Sequence, residues 1–337
     1  MTRLTAGEPI EQPPHPVGRR TVLVADPARE GRLLAADVWY PAVPGDEPPS
    51  TYELLPGITF DAASARHEPA PAPGPFPLLL FSHGRTGMRF AYSLLCEGLA
   101  ARGAIVVSAD HPGDVLADWL LGTFVDDRTN EMNRVADAHL VLAEMLRRTD
   151  LVPVDHDRVA IIGHSYGAYT AFATAAGVRG VDPHDQVRAV VGLQPFTRTM
   201  SDAALGRVAV PALLVVGELD RTTPASSDAD RPWALLRGTP TWRADLTGAG
   251  HQAASDMGLY GDLAHQVPDL PDMVRQYLEL TLVDAVGGDL RPWRELLALQ
   301  LDVVWAFLDI TLDIDPARGG AAATRLAATQ GIGLQCR

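Results

Sequence analysis

The chain of 337 residues predicts an α/β domain on a mostly parallel central sheet of about eight strands. Helices should cover both faces, with a cap of helices and loops. Three observations lead there. Short apolar runs alternate with helix-spaced segments from residue 78 to residue 246, the pattern of parallel strands joined by crossover helices. The composition, 47% hydrophobic and 21% charged, is that of a globular protein. Finally, residues 159–168 read V-A-I-I-G-H-S-Y-G-A: an apolar strand, a sharp turn at Gly163-x-Ser165-x-Gly167, then a small-residue helix start.

In chain order, residues 1–19 are polar and proline-rich and read as a flexible arm. The domain proper is expected over 20–312. Residues 21–25 and 33–40 are strand candidates separated by a turn at 26–31. Residues 43–77 are rich in Pro, Ala and Gly, show little periodicity, and read as a surface insertion that could add to a lid. Leu78–Ser82 is a buried strand that ends in His83-Gly84-Arg85. Residues 90–102 have helical spacing, and Gly103 stops them. A strand over 104–109 ends in Asp110-His111-Pro112-Gly113, and a helix follows over 130–148. After the Ser165 corner come strands at 189–193, 212–216 and 241–246, the last more polar and so nearer an edge. Residues 259–312 read as helices broken at Pro268, Pro271 and Pro292. Segments 112–130 and 252–297 are the candidates for cap and pocket, and 313–337 is expected as a loosely packed tail.

The net charge of −14 argues against DNA or RNA as a partner. The two cysteines, Cys96 and Cys336, give neither a disulfide framework nor a zinc pattern. No apolar run reaches the roughly 18 residues of a membrane span, and the first 20 residues lack the apolar core of a signal peptide. A cytoplasmic protein is the expectation. No glycine-rich phosphate loop and no convincing metal-ligand set is present, so neither cofactor nor metal is expected.

A serine hydroxyl at such a corner needs a base, a group to orient the base, and donors for a developing oxyanion. Each can be sought past a strand's carboxyl end, where ligands sit in open α/β sheets. Asp220 follows strand 212–216, with Glu218 as a near substitute. His251 follows strand 241–246 in a glycine-rich loop. Ser165, Asp220 and His251 are therefore the catalytic candidates. The backbone N–H groups of Tyr166 and Arg85 are the oxyanion candidates. His83 reads as a structural histidine bonding its own loop, and His164 is expected to point away from the site. His111, Trp119, Phe124 and Gln252 are the candidates for the pocket wall.

Taken together, Asp37-Val38-Trp39-Tyr40-Pro41-Ala42, Ser82-His83-Gly84, Asp110-His111-Pro112-Gly113, Gly163-His164-Ser165-Tyr166-Gly167, Gly217-Glu218-Leu219-Asp220 and Gly248-Ala249-Gly250-His251 resemble the bacterial predicted dienelactone hydrolases. These are relatives of the platelet-activating-factor acetylhydrolases within the α/β-hydrolase superfamily. The resemblance covers roughly residues 21–310. It implies a serine esterase acting on a small or medium acyl ester. Two departures matter. The acetylhydrolase acid position reads Gly192-Leu193-Gln194-Pro195 here, which leaves Asp220 as the acid, and dienelactone hydrolases use cysteine where this chain has Ser165. A biosynthetic thioesterase, cyclase or lyase on the same fold is the alternative. A non-catalytic binding protein is disfavoured, because all three candidate residues are present.

Overall fold

The computed structural model describes residues 2–5, 14–148, 150–178 and 180–337. The strands are β1 (Thr2–Thr5), β2 (Val17–Asp26), β3 (Arg32–Pro41), β4 (Pro49–Leu55), β5 (Ile58–His67), β6 (Phe76–Ser82), β7 (Ile105–Ala109), β8 (Val154–His164), β9 (Val187–Leu193), β10 (Ala212–Gly217), β11 (Thr241–Leu246) and β12 (Ile332–Cys336). The helices are α1 (Ser93–Ala101), α2 (Leu116–Leu121), α3 (Asp127–Arg147), α4 (Tyr166–Ala176), α5 (Asp202–Leu205), α6 (Ala225–Asp228), α7 (Asp230–Leu235), α8 (Met257–Ala264), α9 (Asp272–Leu282), α10 (Trp293–Thr311) and α11 (Pro316–Ala327).

One sheet runs β1-β5-β2-β3-β7-β6-β8-β9-β10-β11-β12, with β4 paired to β5. From β7 to β11 every pairing is parallel. Antiparallel pairs lie outside that block: β2 on β3, β3 on β7, β4 on β5 and β11 on β12.

Side chains alternate between the sheet's two faces, as the pleat requires. Leu79 and Phe81 of β6, Ala160 and Ile162 of β8, and Leu213 and Val215 of β10 pack with α1, α8 and α10. Leu78 and Leu80, Val159 and Ile161, and Ala212 and Leu214 pack with α3 and α4. With both faces covered, these strands read as unbroken apolar runs, the usual signature of a parallel sheet.

Four segments differ from the sequence expectation. Residues 43–77 are not an irregular insertion: Tyr52 of β4 and Phe60 of β5 are buried and their rings stack at 4.9 Å. The tail 313–337 supplies α11 and β12. Strand β11 is therefore not the edge, because β12 pairs along it from Trp242 to Leu246. Of the expected arm 1–19, residues 6–13 lie outside the described residues, Thr2–Thr5 pair in parallel with β5, and β2 begins at Val17. The proline breaks have a simple role: Pro271 and Pro292 cap α9 and α10, where a fixed φ and a missing N–H cost nothing.

Candidate active site

The corner between β8 and α4 is tight enough to exclude side chains at two positions. A Cβ on Gly163 would come within 2.0 Å of the Gly167 carbonyl oxygen, and one on Gly167 within 1.9 Å of the Ser82 carbonyl oxygen. Ser165 between them is held at φ 53° and ψ −119°, a left-handed conformation that a non-glycine residue adopts only under constraint. Its N–H donates to the Leu193 carbonyl (3.0 Å), and its own carbonyl accepts from Phe196 N–H (3.0 Å). Ser165 is 9% exposed, sheltered yet open on one side.

That side faces His251. Ser165 Oγ lies 3.0 Å from His251 Nε2, and His251 Nδ1 lies 2.9 Å from Asp220 Oδ2. His251 opens a short 3₁₀ turn just past β11. Asp220 follows β10 and is tied down by its own loop. Its Oδ1 accepts from the N–H groups of Thr222 (2.9 Å) and Thr223 (2.8 Å), and its Oδ2 from Thr223 Oγ1 (2.7 Å). Burial alone would raise the Asp220 pKa; the bonds from His251 and Thr223 outweigh it and hold the carboxyl below its ordinary value. The carboxylate form favours the tautomer with the proton on His251 Nδ1, which leaves Nε2 free to accept from the serine. Glu218 takes no part, since its carboxylate accepts from Gly248 N–H at 2.9 Å.

A second set of groups holds the base in place. His164 does not point away from the site. Nε2–H of its buried ring donates to the His251 carbonyl (2.7 Å), and its Nδ1 accepts from Tyr92 Oη (2.8 Å). Burial and the adjacent His251 ring pull the His164 pKa down to about 3, so it stays neutral. From the helix side, Gln300 of α10 donates to the Ala253 carbonyl (2.7 Å) and accepts from Gln194 Nε2 (3.2 Å). These contacts join positions 47 to 106 residues apart, so no local pattern announces them.

The loop after β6 passes directly over the serine: a Cβ on Gly84 would sit 3.4 Å from Ser165 Cβ. The N–H of Tyr166 opens α4, where helix donors lack intrahelical partners. No backbone hydrogen bond among the described residues engages the N–H of Tyr166 or of Arg85.

Above Ser165 lies a cavity of about 300 Å³. Gly84, Arg85, His164, Ser165, His251 and Gln252 form its floor. Its walls are mostly apolar, from Met257 and Leu263 of α8, Val274 and Leu278 of α9, and Leu54 and Ile58 of the β4–β5 hairpin. The Arg85 guanidinium is neutralised by Asp127 (2.7 Å) and Asp114 (3.5 Å). Of the four expected wall residues, Gln252 lines this cavity and three do not. His111 is buried between Ser82 Oγ (3.0 Å) and Asp137 Oδ2 (3.0 Å). Trp119 packs on the Tyr277 ring at 5.4 Å and Phe124 lies under the Arg85 guanidinium, so segment 112–130 supports the cover from behind and sends only Leu116 inward.

The fold and the site together define an α/β-hydrolase scaffold bearing serine, histidine and aspartate in hydrogen-bonded series. Comparison with known proteins agrees in kind. Residues 67–212 match the family model described as Chlorophyllase. Chlorophyllase-1 (chloroplastic) of Citrus unshiu is 29% identical over 156 residues, 41% of this chain and 44% of the relative. A probable 1-alkyl-2-acetylglycerophosphocholine esterase of Arthroderma benhamiae is 28% identical over 103 residues, 27% of this chain and 25% of the relative. The chain thus spans less than half the length of these curated relatives. The structure of a ferulic acid esterase from Streptomyces cinnamoneus superposes with a TM-score of 0.71 at 24% identity, covering 92% of this chain and 95% of the other, and so shares its fold.

Proposed function

We propose that this chain is a serine carboxylic ester hydrolase for neutral esters that carry an apolar arm of small or medium size. One observation carries the reading: an unbroken path from Ser165 Oγ through His251 to Asp220, opening into a cavity with apolar walls. His251 Nε2 takes the proton as Ser165 Oγ bonds to the ester carbonyl carbon. The N–H groups of Arg85 and Tyr166 receive the oxyanion. Collapse expels the alcohol, which takes its proton from His251, and an acyl-serine remains. Water, deprotonated by His251, then releases the acid and regenerates the serine. The neutralised Arg85 and the apolar walls favour an uncharged substrate arm, since burying an unpaired charge there is costly.

The test is a fluorophosphonate probe together with a panel of p-nitrophenyl esters of increasing chain length. The native protein should label at one site and turn over esters, and Ser165→Ala should lose both, with a fall of several orders of magnitude in kcat. A folded native protein that neither labels nor hydrolyses any ester refutes the reading.

A further inference from the structure

A fully buried polar cluster sits against the loop that crosses Ser165, and the steps above do not use it. Its centre is Arg134 of α3, with no exposed surface. Asp114, itself buried, holds the guanidinium in place through Nε (2.8 Å) and Nη2 (2.7 Å), and accepts as well from Asn130 Nδ2 (2.6 Å). Of the remaining Arg134 donors, one Nη1 N–H reaches Ser82 Oγ at the end of β6 (3.3 Å) and the others go to the loop. Nη1 donates to the His83 carbonyl (2.8 Å), and Nη2 reaches the Gly84 carbonyl (3.3 Å). His83 adds to the same grip. Its Nδ1–H donates to the Gly84 carbonyl (2.7 Å), while its Nε2 accepts from His111 N–H (3.3 Å). Burial, reinforced by the Arg134 charge, keeps His83 neutral, and the Gly84 carbonyl against Nδ1 with the His111 N–H against Nε2 selects that tautomer.

The consequence follows from peptide geometry. A trans peptide is planar, and its C=O and N–H point in opposite directions. In the His83–Gly84 peptide the carbonyl is on Arg134, and the N–H accordingly faces the other way, donating to Tyr92 Oη at 3.0 Å. Tyr92 lines the cavity, so this second direction is the cavity side. In the Gly84–Arg85 peptide the carbonyl is again on the Arg134 side, gripped by His83, Arg134 and Gly87 N–H (3.1 Å). The Arg85 N–H is thereby turned to the cavity, where it has no backbone partner. Two consecutive N–H groups facing one way make the kind of concavity that receives an anion.

We propose that Arg134, with His83, is the positioning device of the oxyanion site, holding the Gly84–Arg85 peptide so that its N–H meets the ester carbonyl oxygen above Ser165. The assignment rests on the serine-hydrolase reading. The plainer account is that Arg134 and Asp114 only pin α3 to the sheet. A buried ion pair is a poor device for that alone, because apolar residues of the same volume do it as well or better. Here two of the donors left over from Asp114 go to carbonyls of the loop over the serine.

The test compares Arg134→Met, His83→Ala and His83→Asn in the full chain. The Asn amide can place a donor where His83 Nδ1 stands. Active sites are counted by fluorophosphonate titration and kcat is expressed per titrated site. Loss of an oxyanion donor itself costs about 10²–10³ in kcat. Arg134→Met and His83→Ala should lose about 10- to 100-fold in kcat per site with KM within about two-fold, and an alkylboronic acid should weaken by a matching factor. His83→Asn should recover most of the loss. A merely structural role predicts instead a lower melting temperature and fewer titrated sites, with native kcat at each; that result overturns the proposal. If Arg134→Met does not fold, the two His83 variants decide the matter alone. If the native protein itself neither labels nor hydrolyses esters, the serine-hydrolase reading fails first, a result distinct from native turnover in both variants.

Discussion

The work of single residues at this site depends on what each is left free to do. Asp220 and Glu218 are two positions apart after the same strand, yet only Asp220 meets His251, because Glu218 is engaged by Gly248 N–H. Asp220→Asn keeps the shape and removes the charge that selects the His251 tautomer. We expect kcat to fall by about 10⁴ with KM nearly unchanged, measured by steady-state kinetics on the best ester of the panel; a loss under tenfold would mean that another group orients the base. Gly167 is a matter of space alone. With a carbonyl oxygen 1.9 Å from where its Cβ would stand, Gly167→Ala must shift β6 or α4. A loss of about 1–3 kcal/mol in denaturant unfolding is expected, together with reduced labelling of Ser165. These residues were legible in the sequence because each sits past the end of an apolar run or on the glycine corner. His164, Gln300 and Arg134 were not. Each acts on a backbone carbonyl far away in the chain, and periodicity carries no trace of such partners.

At the scale of elements, the cover over Ser165 is built from two pieces that meet only in space. The α8–α9 pair contributes one wall and the β4–β5 hairpin the other. The strand segments 78–82, 105–109, 159–163, 189–193 and 212–216 could be read in advance because both faces of each are buried, which writes a nearly unbroken apolar run into the sequence. The hairpin could not. It has Pro49 at one end, several small residues in β5, and register shifts where the two strands pair, all of which blur the alternation of a half-buried strand. Helix α9 has no fully buried residue, and its inner side, with Val274, Tyr277 and Leu278, lines the cavity while Tyr277 and Leu278 rest on the rim of the core. A larger side chain there fills substrate space at little cost to folding. Leu278→Trp should therefore narrow the range of esters accepted. Relative kcat/KM for long against short acyl chains is expected to drop by about 10-fold or more, since each methylene refused is worth roughly 0.8 kcal/mol. An unchanged chain-length profile would place the acyl arm elsewhere.

Across the whole molecule, the loop that carries His251 is fastened to the start of α1 by the carboxyl group and the backbone N–H of Asp256. Asp256 lies five residues beyond the histidine and caps α1 from outside. It accepts from Ser93 N–H (2.7 Å), which it shares with the Phe90 carbonyl (3.1 Å), from Ser93 Oγ (2.6 Å) and from Leu94 N–H (3.3 Å), donors of a helix start that have no partner within the helix. Its own N–H donates to the Ala91 carbonyl, so the two segments are laced together. Complete burial is the main force on its pKa and, with the nearby Glu97, lifts it from 3.8 to about 7, while the bonds from Ser93 and Leu94 pull the other way. The sign of the effect on stability follows. Between pH 3.8 and about 7 the folded chain holds a proton that the unfolded chain has released. The contribution of Asp256 is therefore complete below pH 3.8 and is lost as pH rises through 7. Glu97 is also buried and shifted upward, and adds in the same direction. Asp256→Asn stays neutral at every pH and isolates the term. The unfolding free energy of the native chain, less that of the variant, should decline from pH 4 to pH 7 by up to about 1.4 kcal/mol for each pH unit. It should level off above that range, in urea melts taken across it. Parallel profiles for the two proteins from pH 4 to 8 would show that Asp256 keeps an ordinary carboxyl pKa in the folded state, and that the clasp between the histidine loop and α1 is charged throughout.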